Sequence, residues 1–282
     1  MNRARFLTAA AVCASLMHGQ AVAYAAAPEP AVADARTAMV DNPCPAPKPV
    51  DAATIAFVQT LVEPGAKFTP PPPLPKPENP MQDWANLCRY RADNAAVTAR
   101  PDVVFMGDSL TELWKYADPA FFGDGRINRG ISGQTSAQML LRFQADVVAL
   151  KPRVVHLLTG GNDIAGNAGL TSEQVLKDNV IAMVTLARAN DIKVVLGSIT
   201  PIERVWWAPD LRPGGQVKQF NAWLRDYARA NGLGFIDYHA ALADSAGNMP
   251  AAYANDVAHP NRKGYALMEP AATRALDAAL GR

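Results

Sequence analysis

The chain has no excess of one charge sign, with 27 lysines and arginines against 26 aspartates and glutamates. Without a strongly basic or acidic field, we expect no general affinity for nucleic acid or anionic membranes. The sequence also has no internal repeat, no heptad run and no zinc-ligand spacing. The glycine-rich segment Gly123-Asp124-Gly125 is followed by neither a phosphate-loop lysine nor a predicted helix, so it indicates a turn.

The apolar run near the N-terminus is too short to span a bilayer. It covers residues 6–17, comes after Arg3 and Arg5, and is followed by small residues. This order of charged, apolar and small residues is typical of a secretory signal. We predict that residues 1–25 are a signal peptide, cleaved between Ala23 and Ala27, and that the mature chain is exported to the periplasm or the extracellular space without stable membrane insertion.

Cysteine is scarce, with three residues in the chain. Cys13 lies inside the predicted signal without a leucine-containing lipobox, which argues against a lipoprotein. Cleavage leaves Cys44 and Cys88, an even pair in a compartment where disulfides persist. We predict a disulfide between them, which loop-closure arguments suggest stabilises the chain by roughly 3 to 4 kcal/mol.

Proline is concentrated in one stretch, residues 28–80, which holds 14 of the 23 prolines. Such a stretch cannot form long helices or regular ladders, so residues 26–80 are predicted to be a proline-rich arm. The apolar segment 55–62 within it is expected to form one helix. The arm is expected either to drape over the main domain as an extended segment or to act as a lid or dimer contact.

Short apolar segments alternate with amphipathic ones after residue 100. We predict five strands, near 102–106, 127–131, 154–159, 193–199 and 234–237. Each is apolar and short enough to lie in a parallel sheet that is covered on both faces. With 49% apolar residues the chain can bury such a core. The pattern predicts an α/β fold, a doubly wound three-layer α/β/α (flavodoxin-like) arrangement with about five parallel strands.

The helices between these strands are marked by their apolar faces. One is expected over about 136–150, and another begins at Thr171, whose spacing to Gln174 is typical of a capping box. A third is expected to end near 231–232. Before the first strand, the apolar spacing in 79–98 predicts a further helix.

A serine follows the first predicted strand, and a histidine with a nearby aspartate lies much later in the chain. Ser109 comes two residues after Gly107, and His259 comes three residues after Asp256. A serine hydroxyl is a weak nucleophile near neutral pH, so it needs a base within hydrogen-bond reach and a carboxylate to hold that base. The end of a strand places the hydroxyl at the carboxyl edge of the sheet, where open α/β folds bind ligands. This combination is typical of a hydrolase.

These residues, with two blocks between them, resemble the GDSL esterases, also called SGNH hydrolases. The four blocks are Gly107-Asp108-Ser109-Leu110, Ile131-Ser132-Gly133-Gln134-Thr135, Gly160-Gly161-Asn162-Asp163 and Asp256-Val257-Ala258-His259-Pro260. The resemblance covers roughly residues 100–280 and implies a fold of the SGNH-hydrolase type. The Gly-x-Ser-x-Gly elbow of the lipase-like α/β-hydrolases is absent, because Thr111 stands two residues after Ser109. We predict that residues 81–282 form the catalytic domain.

The resemblance implies a role for each block. Ser109 would be the nucleophile, His259 the base that takes its proton, and Asp256 the carboxylate that orients His259. The amide of Ser109, the amide of Gly133 and the side-chain NH2 of Asn162 would form the oxyanion hole. Ser109 is expected to open a helix, and Asp256 and His259 to share one helical turn. No metal and no organic cofactor are expected.

Four other polar residues lie near these blocks or strands. Asp108 and Asp163 are expected to hydrogen bond within loops rather than to serve as the acid that orients the base. His156 lies in the apolar third strand and is expected to be a core histidine. His239, after the last strand, stays an alternative base.

Trp206 and Trp207 follow the fourth strand and are expected either to line the substrate pocket or to pack within their loop. The loops are short and include no long apolar lid, which favours small acyl groups. We predict an exported serine esterase that hydrolyses carboxylic esters, such as acetyl esters, of small molecules or carbohydrates. The alternatives are a lysophospholipase or thioesterase, an O-acyltransferase that uses a sugar hydroxyl, and a binding module without activity.

Overall fold

The computed structural model describes residues 44–45, 49–71, 83–123 and 125–282. The predicted signal peptide, much of the proline-rich arm and Asp124 lie outside the described residues. The chain divides into two units, Met1–Cys44 and Pro45–Arg282. The elements described below all belong to the second unit. Cys44 and Cys88 are both disulfide-bonded, as predicted.

A single parallel sheet forms the centre of the second unit. Its strands are β1 (Val103–Gly107), β2 (Arg126–Gly130), β3 (Val154–Leu158), β4 (Lys193–Gly197) and β5 (Gly234–Ile236). They are arranged in the order β2-β1-β3-β4-β5, and all neighbours pair in parallel. The five predicted strands are confirmed, each to within two residues at either end.

Ten α-helices accompany the sheet in the described residues. They are α1 (Ala52–Val62), α2 (Arg91–Ala95), α3 (Ser109–Glu112), α4 (Trp114–Ala117), α5 (Ser136–Asp146), α6 (Gly161–Ile164), α7 (Glu173–Arg188), α8 (Gly214–Ala230), α9 (Tyr238–Leu242) and α10 (Arg262–Leu280). The segment predicted as a helix inside the proline-rich arm is α1. Its first turn is capped by the carboxylate of Asp51, which accepts a hydrogen bond from the amide of Thr54 at 2.7 Å.

Helices cover both faces of the sheet. Val104 and Met106 of β1 belong to a core cluster with α5, α7 and α8. The alternating residues Val103 and Phe105 belong to a second cluster with α1, α4 and α10. Because successive side chains of a strand point to opposite faces, a central strand covered on both sides must be apolar throughout. The predicted three-layer α/β/α architecture is confirmed.

The predicted start of α7 was wrong by one residue. Its N-cap is Ser172, whose hydroxyl accepts a hydrogen bond from the amide of Val175, and not Thr171. A capping box is instead found at the start of α5, between Thr135 and Gln138. Both segments offer a hydroxyl with a glutamine three residues later, so the pattern alone could not separate them.

The helix predicted over 79–98 was also wrong, since only Arg91–Ala95 is helical in the described part of that segment. The carboxylate of Asp83 accepts hydrogen bonds from the amides of Leu87 and Cys88 at 2.6 and 3.0 Å. An aspartate that bonds to the backbone in this way favours a turn over a helix. Asp83 and Asn86 also have positive φ angles, 44° and 55°, which interrupt a helix.

The guanidinium of Arg142, in α5, is fully buried beneath the carboxyl ends of β1 and β2. It donates hydrogen bonds to the carbonyl oxygens of Gly107 and Arg129, both at 2.9 Å. It also donates to the side-chain oxygen of Gln134 at 2.5 Å and to the carboxylate of Asp146 at 2.9 Å. Arg142 therefore joins two strand ends to the loop that follows β2.

We expect Arg142→Leu to lower the free energy of unfolding by about 3 to 5 kcal/mol, because it leaves Asp146 as an unpaired buried charge. Urea denaturation followed by circular dichroism measures this loss. The matched control is Arg229→Leu, since Arg229 pairs with Asp226 at the surface, and we expect it to change stability by no more than about 0.5 kcal/mol. Equal effects of the two substitutions would contradict the role given to Arg142.

Candidate active site

Ser109 is the first residue of α3 and lies two residues after the end of β1. The N-cap of this helix is Asp108, whose carboxylate accepts a hydrogen bond from the amide of Leu110 at 2.9 Å. Gly107 is required where strand turns into helix, because a Cβ there would lie 2.0 Å from the hydroxyl of Thr111 and 2.9 Å from the carbonyl oxygen of Leu158. Ser109 therefore presents its hydroxyl at the carboxyl edge of the sheet, and its amide belongs to a helix N-terminus.

The structure brings the three predicted residues Ser109, His259 and Asp256 into one hydrogen-bonded series. The hydroxyl of Ser109 lies 2.9 Å from Nε2 of His259. Nδ1 of His259 lies 2.7 Å from Oδ2 of Asp256. Both are hydrogen-bond distances, so Nε2 of His259 is placed to accept the hydroxyl proton while the carboxylate of Asp256 holds the ring from its other nitrogen.

The segment that carries Asp256 and His259 is not the helical turn we expected. It is a loop of bends closed by a β-bridge between Ala254 and Pro260. Oδ1 of Asp256 accepts hydrogen bonds from the amides of Ala258 and His259, at 3.0 and 2.7 Å. The same carboxylate therefore shapes the loop through one oxygen and holds the imidazole through the other, and this local bonding replaces a helical turn.

The charges of Asp256 and His259 stabilise each other. Burial alone would lower the pKa of His259, but the negative charge and hydrogen bond of Asp256, together with the charge of Asp108, outweigh it, and the pKa of His259 is raised. Burial alone would raise the pKa of Asp256, but the imidazole and the two backbone amides outweigh it, and the pKa of Asp256 is lowered. The carboxylate thus stays ionised while the imidazole gains a proton.

Gly133 and Asn162 lie in the same cleft as Ser109 and His259. Gly133 has a φ of +80°, a conformation that favours glycine. In the described residues, no acceptor is hydrogen-bonded to the amide of Ser109 or of Gly133. The NH2 group of Asn162 donates to Oδ2 of Asp108 at 3.1 Å and to the carbonyl oxygen of Gln134 at 3.0 Å. The amides of Ser109 and Gly133 are thus available to donate to a ligand in the cleft, whereas the NH2 group of Asn162 already donates to two acceptors.

Asp108 and Asp163 hydrogen bond within the loops, as expected. Asp108 is buried between the amide of Leu110 and the NH2 of Asn162, and burial raises its pKa to about 6. Asp163 accepts hydrogen bonds from the amide and hydroxyl of Ser136 at 2.9 and 2.5 Å. These two carboxyl groups connect the loops after β1, β2 and β3.

Two further histidines in the described residues, His156 and His239, lie apart from Ser109. His156 is buried in β3, where Nε2 lies 2.9 Å from the hydroxyl of Tyr238, and burial lowers the pKa of its imidazole to about 3. It is a core histidine, as expected. His239 lies in α9, and it does not line the cleft that contains Ser109.

Asn167 was not recognised from the sequence. Its side-chain oxygen accepts a hydrogen bond from Nε1 of Trp207 at 2.7 Å. Its NH2 group donates to the side-chain oxygen of Asn162. Asn167 therefore links the tryptophan loop to a residue of the predicted oxyanion hole. An asparagine in a loop has no periodic pattern, and only its closeness in sequence to the third block hinted at a role.

Glu112 was also missed. Its carboxylate accepts hydrogen bonds from the amide and hydroxyl of Ser132, at 2.8 and 2.7 Å. It also pairs with Arg89 at 3.2 Å. Glu112 therefore holds the turn that presents the neighbouring Gly133.

Two cavities meet at Ser109 and His259. The larger has a volume of about 380 Å³, and both Trp206 and Trp207 line it. The smaller has a volume of about 20 Å³, and its lining combines apolar side chains, Ile202 and Val205 among them, with polar ones such as Asp108 and Asn162. The smaller volume is roughly what one water molecule or methyl group needs.

In the described part of the chain, no three His, Cys, Asp or Glu side chains come close enough together to hold a metal ion. Across the same residues, no helix has both the length and the apolar character that a membrane span requires.

A model of the GDSL-like Lipase/Acylhydrolase family matches residues 105–267, which is more than half of the chain. The chain belongs to this family. The resemblance inferred from the four blocks is confirmed. Membership of this family implies that the protein is a hydrolase that acts on esters.

Three relatives illustrate the extent of the likeness. A GDSL-like lipase from Bacteroides thetaiotaomicron is 38% identical, over 70% of this acylhydrolase and 99% of the other chain, with a TM-score of 0.67. Platelet-activating factor acetylhydrolase IB subunit alpha1 of Pongo abelii is 29% identical, over 69% of this chain and 85% of its own. An uncharacterized lipoprotein of Bacillus subtilis, YqeF, is 34% identical over 36% of this chain, and the match spans about half (49%) of that lipoprotein.

With His259 as the proposed base, its raised pKa predicts how ester hydrolysis depends on pH. A base must be neutral to accept a proton, so kcat/KM should fall as the pH drops through a midpoint above the ordinary histidine value of about 6.5. Asp256→Asn removes the charge that raises this pKa. It should therefore move the midpoint to lower pH, and it should lower kcat by on the order of 10³- to 10⁴-fold.

The measurement is a pH profile of kcat/KM for wild type and Asp256→Asn. Asp226→Asn, which changes a surface carboxylate outside the cleft, serves as the control and should leave the midpoint in place. A midpoint that does not move in Asp256→Asn would show that Asp256 does not set the charge of the base.

Proposed function

We propose that the protein is a serine esterase that hydrolyses short-acyl carboxylic esters, such as acetyl esters, through an acyl-serine intermediate. The observation that carries this proposal is the series of contacts from Ser109 through His259 to Asp256, which opens into a cleft between two backbone donors and an apolar wall. The family membership supports a hydrolase acting on esters. The assignment of roles to these residues is our own.

In the proposed reaction, Oγ of Ser109 attacks the carbonyl carbon of the ester while Nε2 of His259 takes the hydroxyl proton. The amides of Ser109 and Gly133 donate to the oxyanion of the tetrahedral intermediate. Asn162 adds a third donor when one of its N–H groups turns from Asp108 or Gln134 to that oxyanion.

Collapse of the intermediate then breaks the bond between the carbonyl carbon and the alcohol oxygen. The proton held by His259 goes to the leaving alcohol. Water repeats the sequence on the acyl-serine, with His259 again as the base, and releases the acid. Asp256 keeps the imidazole in its orientation and stabilises its charge throughout.

The smaller cavity supports a short acyl group. Its volume of about 20 Å³ admits a methyl group beside Ser109, whereas Ile202 and Val205 obstruct a longer chain. The match to platelet-activating factor acetylhydrolase IB subunit alpha1 covers 85% of that relative, and its name agrees with an acetyl ester as the substrate.

We also propose that the protein is exported, with a signal peptide at 1–25, a proline-rich arm at 26–80 and a catalytic domain at 81–282. The order of charged, apolar and small residues at the N-terminus supports export. The disulfide bonding of Cys44 and Cys88 agrees with an oxidising compartment.

The test is hydrolysis of nitrophenyl esters of increasing acyl length by wild type and Ser109→Ala. We expect the acetyl ester to have the highest kcat/KM, and Ser109→Ala to lower kcat by on the order of 10⁶-fold, as removal of a nucleophilic serine does in other serine hydrolases. Ser245→Ala, which changes an exposed serine in a turn, should keep full activity. Undiminished turnover by Ser109→Ala would reject the serine mechanism.

The acyl-length limit is tested by Ile202→Ala, which enlarges the smaller cavity. We expect kcat/KM for the butyryl ester to rise relative to that for the acetyl ester by on the order of tenfold, since each methylene group in a hydrophobic pocket is worth about 1 to 3 kcal/mol. The control is Ile192→Ala, which removes the same atoms from the same core away from the cavity. An unchanged ratio in Ile202→Ala would show that the acyl group binds elsewhere.

A further inference from the structure

One wall of the larger cavity is formed by a helix that precedes the family match at 105–267. This helix is α1, and the side chains that it contributes to the wall are Thr54, Phe57, Val58 and Leu61. Ser109, Gly133 and His259 line the same cavity. The segment predicted as a proline-rich arm therefore supplies a surface that a bound ester would touch.

A row of four aromatic side chains leads from the base to α1, and we call it the aromatic row. Its members, in order from His259, are Trp207, Trp206, Phe68 and Phe57. The ring centre of Trp207 lies 6.4 Å from that of His259. The successive rings of the row then lie 5.3, 5.8 and 6.3 Å apart. These spacings are those of packed aromatic rings, and Trp207, Trp206 and Phe57 of the row line the larger cavity together with His259.

The position of α1 is held by the loop that carries Asp256. The NH2 group of Asn255 donates to the carbonyl oxygens of Thr60 and Leu61 at the end of α1, at 3.0 and 3.2 Å. Its side-chain oxygen accepts a hydrogen bond from the amide of Gly65 at 3.2 Å. These bonds satisfy carbonyl groups that a helix end leaves without partners. The wall and the loop of the base are thus connected through one side chain.

The polarity of the larger cavity also restricts its ligand. Apart from His259, the charged residues among its described lining are Arg89 and Glu112, and they pair with each other at 3.2 Å. Neither is available as an unpaired counter-charge. A sugar placed along α1 would lose hydrogen bonds to water and meet Val58 and Leu61, whereas an apolar group would gain from leaving water.

We infer that α1 and the aromatic row bind an apolar group in the alcohol part of the ester, so that the substrates are short-acyl esters of an uncharged apolar alcohol. This inference rests on the proposed function, because it uses His259 as the acid that protonates the leaving alcohol. The alcohol oxygen must lie at His259, and the aromatic row starts there. The smaller cavity receives the acyl methyl group on the other side of the reacting carbon.

The test compares two isomeric esters, benzyl acetate and methyl phenylacetate, with methyl acetate as the small reference. The two isomers carry the same phenyl group, on the alcohol side in one and on the acyl side in the other. Wild type should prefer benzyl acetate. Phe57→Ala should lower kcat/KM for benzyl acetate by about tenfold, mainly through KM, and change that for methyl acetate by less than about twofold.

Two further variants make this test specific. Ile55→Ala removes an exposed apolar side chain of α1 that does not line the cavity, and it should leave both acetates unaffected. Thr54→Trp adds bulk at an exposed position of the wall, so it should lower hydrolysis of benzyl acetate while the core of the helix stays intact. Circular dichroism establishes that each variant is folded.

The outcomes separate the two proposals. Ser109-dependent hydrolysis of methyl acetate, with equal effects of Phe57→Ala on benzyl acetate and methyl acetate, would overturn the inference alone. Wild type could instead prefer methyl phenylacetate, with Phe57→Ala abolishing that preference. This result would place the acyl group on α1 and would also overturn the inference. Turnover of none of the three esters, or turnover that persists in Ser109→Ala, would overturn the proposed function itself.

Discussion

The buried guanidinium of Arg142 is the interaction on which the proposed site depends most. It binds the carbonyl oxygen of Gly107, two residues before Ser109, and the side chain of Gln134, directly after Gly133. The carbonyl oxygen of Gln134 in turn accepts a hydrogen bond from Asn162. Because none of these groups can exchange its partner for water, each bond fixes the position of a loop. One charged side chain beneath the sheet edge therefore aligns the proposed nucleophile with the proposed oxyanion donors above it.

The parallel sheet determines which loops lie above Arg142. A parallel sheet brings the carboxyl ends of its strands to one edge, so the loops after β1, β2 and β3 meet although they are distant in sequence. Asp108, Asn162 and Asn167 extend the hydrogen-bond network from the buried residues to the exposed Trp207, which lies beside His259. The helix α1, which precedes the family match, also lines the cleft. The proposed site residues within the match thus share the cleft with a surface from outside the match.

The sheet was predictable from the sequence because each strand is an isolated apolar run of the length that a covered parallel sheet requires. The meeting of Ser109, Asp256 and His259 followed from the four blocks. The turn at Asp83 was not predictable, since a backbone-binding carboxylate overrode an apolar spacing that favours a helix. The wall formed by α1 was beyond prediction too. Its position depends on Asn255, whose bonds to Thr60 and Leu61 join residues 195 and 194 positions apart, and no local pattern carries such information.

The most direct test of the account is to trap the intermediate that it requires. Wild-type protein would be mixed with an acetyl ester, quenched in acid within the first turnover and digested, and the peptides would be analysed by mass spectrometry. The account predicts one added acetyl group on the peptide that contains Ser109, located on that serine by fragmentation and missing in Ser109→Ala. Rapid turnover without an acylated serine, or with the acetyl group on another residue, would contradict it.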